Sequence, residues 1–354
     1  MNEKVLPLAD PFIKTYQGSA FVLGVLTAED RTKDICYNNY INLTCKNVAD
    51  VHGIEMGFVN EEWEYYRVKG IAEMDLYHFR TFNETHLIEF LKERIDQDNY
   101  ILLYSIDDYY LSYSKNYQIK HDVHDTYIYG YEEDAFLVMA YSDRTLSKVK
   151  VPMKEIVDGL FSEENYGSSF CSFRLSHVAK VEYDLRTIYR ELRNYAESKA
   201  EEEESHKKYG LRVYDGLIDL VMKEIERCND EETISENADK KQQFDYMVNG
   251  VFDIRPFRVL WEHKSLMTQR VKRMSVDVAV GEEIVCQTEG LEQDGRTIFM
   301  LMVKYCVSGN CGILRRVIEL LGEIREKEKG MIQMLLAVME KELDEKGEIR
   351  NETL

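Results

Sequence analysis

The sequence lacks several features that mark common classes of protein. Proline is scarce, with 4 residues in 354, and no stretch approaches the roughly 20 consecutive apolar residues that span a bilayer. The opening MNEKVLPLADPF has no basic segment followed by an apolar one, so we expect no secretory signal and no membrane association. Basic side chains number 45 against 65 acidic ones, and the net charge of −20 argues against binding to nucleic acid.

Motifs for bound cofactors and disulfides are also missing. The seven cysteines include no CxxC pair, which argues against a disulfide framework or a zinc site and favours reduced thiols in a cytoplasmic protein. The chain has neither GxxxxGK[ST] nor GxGxxG between a strand and a helix, so nucleotide chemistry has no support. We therefore expect no cofactor and no metal.

The first half alternates strand-like and helix-like segments. The runs Ser19–Ala28, Ala72–Phe82 and Asn99–Ile106 are expected to be strands, and Asn83–Asp96 has the spacing of an amphipathic helix. The segment from His124 to Asp143 predicts a hairpin that turns at GYEED, and Lys148–Phe161 predicts a strand followed by a helix. This pattern indicates an α+β domain over residues 1–165.

The second half is almost entirely helical in its periodicity. Long helices are predicted over residues 181–204, 210–228, 253–274 and 311–347, whereas the Asp-Gly of EQDGRTIF indicates a turn. Residues 166–354 are thus expected to form a mostly helical domain, which could serve as a carrier-docking surface, a lid or a dimer interface.

Cys36 is the first candidate for chemistry. Residues 35–45 have helical spacing with Asp34 as a possible N-cap, which would place Cys36 in the first turn, where the helix dipole favours a thiolate. His124 begins a strand of the hairpin, and Asp143 ends the next strand, so Asp143 could orient the imidazole. The alternative is a packed thiol and an ordinary loop histidine. Cys45, deeper in the same helix, is expected to be structural.

Two further stretches carry weaker signals. HDVHD, residues 121–125, could suggest a metal site, but no second cluster of ligands is evident and a solvated loop is favoured. The tyrosines of DDYYLSYSKNYQ, residues 107–118, could line a substrate channel or cover a sheet face, and the sheet face is favoured.

Cys36, taken together with the downstream segment HDTYIYGYEEDAFLVMAYSD, resembles the papain-like cysteine protease superfamily. It is most similar to the branch of bacteriocin-leader peptidases and butirosin-type acyltransferases, in which a histidine heads a strand that ends in Gly-Tyr-Asp/Glu. CYNNYINLTC and NEEWEYYR also resemble amide synthases of thiotemplated natural-product pathways. The resemblance covers residues 15–165 and implies a papain-like core, with an N-terminal helix that carries the cysteine and an antiparallel sheet that carries the histidine.

The chain departs from this branch at two places. The leader peptidases have a glutamine a few residues before the cysteine as an oxyanion donor, yet no glutamine lies between Gln17 and Cys36. The orienting aspartate of the family follows the histidine at a shorter offset than Asp143 does, so Asp125, next to His124, is the fallback.

The resemblance implies an acyltransferase that forms amides. Cys36 would take an acyl group from a thioester on the phosphopantetheine arm of an acyl or peptidyl carrier protein, and His124 would help to pass it to a small amine. A peptidase of the same fold and a non-catalytic binding protein are the alternatives. The basic stretches at residues 255–264 and 269–274 are a candidate dock for the acidic carrier, or simply a basic helix face.

Overall fold

The computed structural model describes residues 3–47, 53–59, 70–142, 145–165, 169–234 and 252–346. Asp143 and the NEEWEYYR stretch lie outside these residues. Within these ranges, no helix combines the length and the apolar character that crossing a membrane requires.

The described chain consists of helices and antiparallel strands. The helices are α1 (Gln17–Leu26), α2 (Ile35–Asn38), α3 (Glu84–Asp96), α4 (Met153–Leu160), α5 (Leu185–Glu197), α6 (Val213–Ile234), α7 (Arg255–Met274), α8 (Glu282–Ser308) and α9 (Gly312–Glu345). The strands are β1 (Glu3–Val5), β2 (Leu43–Asn47), β3 (Ile54–Phe58), β4 (Ala72–His78), β5 (Tyr100–Asp107), β6 (Val123–Glu132), β7 (Ala135–Ser142), β8 (Thr145–Pro152), β9 (Ser169–Leu175) and β10 (Lys207–Tyr209).

The chain divides into two compact units, each made of two segments. The first unit contains Met1–Ile35 and Glu62–Glu182, and the second contains Cys36–Glu61 and Tyr183–Leu354. The sequence predicts a single boundary between residues 165 and 166. In the structure β9 pairs with both β4 and β5, which keeps residues 169–175 in the first unit. The α+β class with a helical C-terminal region is confirmed.

The first unit is built on one antiparallel sheet. Its strand order is β4-β9-β5-β6-β7-β8, and β1 pairs with the far end of β6. The strands β5, β6 and β7 bury most of their residues, because the sheet carries helices that supply apolar partners. α3 begins at the N-cap Asn83 and buries Leu87, Leu91 and Ile95 at helical spacing, as predicted. The hairpin of β6 and β7 is also confirmed.

The second unit is mainly a helical assembly with a small sheet of order β10-β2-β3. α7, α8 and α9 follow one another and pack together in sequence, and α5 and α6 pack on α9. α7 buries thirteen of its residues, eight of them apolar and five polar or charged, so part of its charge lies inside the unit.

A polar network lies at the centre of the second unit. The Lys264 ammonium is 2.5 Å from Glu328, and both side chains are almost fully buried. The hydroxyls of Tyr195 and Tyr214 donate to the same carboxylate at 3.0 and 2.7 Å. Burial lowers the pKa of His263 well below its ordinary value, so its neutral ring donates to the Ile41 carbonyl and accepts from Lys264. Each buried charge is therefore met by several partners.

Two predictions for the region around Cys36 were wrong. The run Ser19–Ala28 is not a strand but lies largely in α1, whose residues are nearly all buried, and a segment buried on all sides shows no helical period. The helix predicted for residues 35–45 ends at Asn38, because Tyr40 takes a left-handed conformation with φ +56°. Cys45 consequently lies in β2.

Two further predictions were wrong in the loops. The tyrosines after Asp107 lie in turns rather than on a sheet face, since β5 ends at that residue. EQDGRTIF is an internal part of α8 rather than a turn. A side chain at Gly295 would meet the Cα atom of Trp261 at 3.3 Å, so the glycine serves the close packing of α8 on α7.

We expect removal of either partner of the buried ion pair to destabilise the protein strongly. Glu328→Gln should lower the free energy of unfolding by about 3–5 kcal/mol, because it leaves the Lys264 ammonium buried without its counter-ion. Urea denaturation followed by circular dichroism measures the change.

The exposed pair Lys327–Asp294 is the matched control, with a distance of 2.8 Å. Asp294→Asn should cost about 0–1 kcal/mol, because water already solvates both charges. Equal losses of unfolding free energy in the two variants would show that burial does not make the Lys264–Glu328 pair more stabilising than an exposed pair.

Candidate functional site

The site lies where β5 ends and β6 begins. The two strands are antiparallel, with Ile106 opposite His124 and Asp107 opposite Val123. The acidic pair Asp107-Asp108 therefore lies next to the HDVHD segment, and the Asp108 amide donates to the Asp122 carbonyl at 2.8 Å. Each histidine of HDVHD contacts a different aspartate, which produces two adjacent Asp–His pairs.

The first pair joins His124 to Asp108. Nδ1 of His124 lies 2.9 Å from Oδ2 of Asp108, and because a carboxylate only accepts, Nδ1 carries the hydrogen. Ser114 donates to the same oxygen at 3.1 Å. The carboxylate is mostly buried at 11 % exposure, whereas the imidazole is 56 % exposed. Asp108 thus fixes the ring and its tautomer, and Nε2 is the nitrogen left for another molecule.

The hydrogen bond to Asp108 raises the pKa of His124 above its ordinary 6.5, in opposition to the effect of burial. The negative charges of the Asp108 and Asp122 carboxylates also raise the pKa of His124, whereas the positive charge of Lys115 lowers it. An imidazole can take up a proton and return it, and the hydrogen bond from Nδ1 to Asp108 stabilises its protonated form, as a general base requires.

The second pair joins His121 to Asp107. Nδ1 of His121 lies 2.7 Å from Oδ2 of Asp107, whose side chain is fully buried. Burial pushes the pKa of Asp107 upward, but donors from Ser162, His121 and the Tyr109 amide outweigh it, and the net pKa is lowered. The carboxylate therefore stays ionised beneath the histidine ring.

α4 completes this pair. Ser162 follows α4 and donates to Asp107 at 2.5 Å. A Cβ atom at Gly159 would meet Ile106 at 2.8 Å and the Asp107 carbonyl at 3.0 Å. The glycine therefore lets α4 pack directly on the end of β5, which brings Ser162 within reach of the carboxylate.

Neither aspartate that we predicted as the partner of His124 is seen in that role. Asp143 lies outside the described residues, so its role stays a prediction. Asp125 accepts from the Ser105 amide at 3.1 Å, where a β-bulge interrupts the pairing of β5 with β6. Neighbouring residues of a strand point to opposite faces, which is why Asp125 supports the bulge while His124 turns to Asp108.

Cys36 belongs to the second unit, whereas His124 belongs to the first. The cysteine is 1 % exposed, and α2 has only four residues to contribute a dipole. The buried guanidinium of Arg270 donates to the carbonyls of Tyr37, Asn39 and Tyr40 at 2.8, 2.7 and 3.2 Å and to that of Cys36 at 3.3 Å. Arg270 anchors this turn, and the pairing of Cys36 with His124 stays a prediction. Burial raises the pKa of Cys45 to about 11, as suits an inert thiol.

The helix that packs on the histidine strand is α1. The Gln17 side chain donates to the Met139 carbonyl at 3.0 Å, and Met139 lies opposite Tyr127. The Phe21 ring stacks on Tyr127 with 4.9 Å between centroids and also contacts Tyr100, which lies further from His124. α1 therefore packs against β6 and β7 near Tyr127 and Met139, and Ser19 lies in its first turn.

Sequence reasoning missed Asp107, Asp108, Ser162 and Ser19. Asp107 and Asp108 had a usable signal, since two acidic residues directly follow a buried strand that was predicted correctly. A pairing of that strand with the one headed by His124 would have placed them beside HDVHD. Ser162 carried no such signal, because its position depends on the packing of α4, whereas the glutamine two residues before Ser19 was a usable signal.

The arrangement can move protons at two exposed imidazoles, each oriented by a buried carboxylate. Among the residues that the structure describes, no group of three or more His, Cys, Asp or Glu side chains is arranged to hold a metal ion. No protein-family model matches the chain, and no curated protein matches it. The functional argument therefore rests on the geometry of the Asp–His pairs.

We expect Asp108→Asn to lower the pKa of His124 toward its ordinary value, because it removes the acceptor charge that stabilises the imidazolium. Histidine ring resonances followed by NMR against pH measure the shift. Since the folded pKa is raised, the pair's contribution to stability is complete below pH 6.5 and is lost as pH rises through the raised pKa.

Asp125→Asn and Asp143→Asn are the matched controls for this titration. We expect Asp125→Asn to leave the pKa of His124 nearly unchanged, because that carboxylate binds the Ser105 amide. A larger shift in either control than in Asp108→Asn would contradict the assignment of Asp108 as the orienting residue.

Proposed function

We propose that the first unit catalyses acyl transfer from a thioester to an amine, with His124 as the general base and Asp108 as the residue that orients it. The observation that carries the proposal is the Asp108–His124 pair, an exposed imidazole held through Nδ1 by a buried carboxylate. This is the arrangement that activates a nucleophile in acyl-transfer enzymes of unrelated folds.

The papain-like architecture is part of this proposal. In favour of it, α1 packs on the antiparallel sheet that carries His124. The first turn of α1 carries a serine where the resembling families have a cysteine. The sequence Gln17-Gly-Ser19 also places a glutamine shortly before the candidate nucleophile, as those families do.

Ser19 is therefore the nucleophile proposed for this helix. His124 would remove the hydroxyl proton as Ser19 Oγ attacks the thioester carbonyl, and the same proton would pass to the departing thiolate. An amine would then attack the acyl-serine ester, and His124 would take a proton from the attacking nitrogen and deliver it to the departing Ser19 Oγ as the ester C–O bond breaks. Cys36, in the second unit, is the nucleophile predicted from the sequence. The acylation experiment below distinguishes Ser19 from Cys36.

The acyl donor proposed here is a carrier-protein thioester, and the acceptor is a small amine. α7, the basic helix considered as a carrier dock, keeps most of its charge within the second unit. Lys264 binds Glu328, and Arg258 binds Glu262 at 2.9 Å. Lys272 binds Glu289 at 2.7 Å. The structure thus gives no support to α7 as the carrier surface.

The test is intact-protein mass spectrometry after incubation with hexanoyl-N-acetylcysteamine, a thioester that mimics the end of the phosphopantetheine arm. We expect a hexanoyl adduct on the wild-type protein that maps to Ser19 and is absent from Ser19→Ala. His124→Gln should form it about 10²–10⁴ times more slowly, which is the range that a general base contributes.

Cys36→Ala is the matched control and should acylate like the wild type. An adduct lost in Cys36→Ala and kept in Ser19→Ala would replace Ser19 with Cys36 as the nucleophile. Absence of any adduct on the wild-type protein would overturn acyl transfer and favour a non-catalytic binding protein. Release of hexanoate with no amide when amines are supplied would favour a hydrolase.

A further inference from the structure

The second Asp–His pair has more structure than an ordinary surface histidine needs. Asp107 is fully buried and accepts from three donors, one of which, Ser162, arrives from the end of α4. His121 remains 44 % exposed above this carboxylate. A carboxylate that is kept ionised away from water, in contact with an imidazole that reaches water, is the same arrangement as the Asp108–His124 pair.

The ring of His121 is also held in a fixed plane. Tyr109 stacks on it with 4.2 Å between centroids and 16° between planes, and Tyr110 meets it edge-on at 6.3 Å. Since Nδ1 is bonded to Asp107, Nε2 is the nitrogen presented to another molecule. Charged groups close in sequence to this ring include Asp107, Asp108, Lys120 and Asp122, and Lys120 lies 3.5 Å from Asp122.

The two pairs stand side by side. Asp107 and Asp108 are consecutive at the end of β5, and His121 and His124 are three residues apart at the start of β6. Hydrolysis of an acyl-enzyme needs one base, because a single histidine can serve both steps in turn. Aminolysis by a protonated alkylamine has an additional requirement, since the ammonium must lose a proton before its nitrogen can attack.

We propose that His121 is the base that deprotonates the ammonium of the acceptor amine. The inference rests on the proposed acyl transfer and assigns the chemistry of the acceptor, a primary alkylamine that arrives protonated. One proton passes from the ammonium to Nε2 of His121 and then to solvent. The neutral amine attacks the acyl-enzyme, the N–C bond forms, and the second N–H proton passes through His124 to the departing nucleophile.

The competing explanation is that His121 only closes the loop between β5 and β6. His121→Gln separates the two, because glutamine can still donate to Asp107 but cannot act as a base. The test compares two acceptors at pH 7 after acylation with hexanoyl-N-acetylcysteamine. n-Butylamine is protonated at this pH, whereas methoxyamine is already neutral.

With n-butylamine, we expect His121→Gln to form amide about 100-fold more slowly than the wild type, the lower range of general-base effects. With methoxyamine, and in hydrolysis, the variant should stay within about threefold of the wild type, since neither reaction needs an ammonium to be deprotonated. The loss with n-butylamine should also shrink as pH is raised, because solvent then supplies the neutral amine.

His177→Gln, a change at an exposed histidine of the same unit, is the matched control and should leave all three rates unchanged. Equal losses with both amines and in hydrolysis, or no loss with any of them, would overturn the role of His121. Those results differ from the failure of the proposed function itself, in which the wild-type protein forms no acyl-enzyme at all.

Discussion

The antiparallel pairing of β5 with β6 is the constraint on which the site depends. It sets the end of one strand beside the start of the next, so two consecutive aspartates meet a segment with two histidines. Successive side chains of an extended chain point in opposite directions, so the two consecutive aspartates contact different histidines. The β-bulge at Ser105, filled by Asp125, keeps the rest of the ladder in register.

Burial and hydrogen bonding act against one another at the Asp107 carboxylate. Withdrawal from water favours a neutral acid, whereas three donors on Asp107 favour the anion, and the donors prevail. The second unit deals with the same conflict differently at Lys264 and Glu328, where one buried charge neutralises the other and two tyrosines satisfy the remaining lone pairs. In the first unit the counter-charge is an exposed imidazole that can gain or lose its proton, and this property makes the site chemically useful.

The sequence was sufficient where local pattern and tertiary structure agree. α3, the β6–β7 hairpin and the strand leading into α4 were predicted because their periodicity and turn residues are unambiguous. α1 was mistaken for a strand because burial on all sides removes the period that distinguishes the two. His124 was identified from its place at the head of a strand, but Asp108 was not, since its partnership depends on which strands pair. No local pattern reveals that residues 36–61 join the helical unit.

Arg270 illustrates what this discontinuous architecture means for a chain that is synthesised from its amino terminus. The guanidinium that holds the turn at residues 36–40 is separated from Tyr37 by 233 positions. That turn is therefore translated long before the helix that secures it, and its carbonyls have to rely on water until α7 has emerged. Contacts of such long sequence separation slow folding, because a large loop must close before they form. The second unit can thus reach its native core only late in synthesis, whereas nearly all of the first unit's sheet is available once residue 175 has left the ribosome.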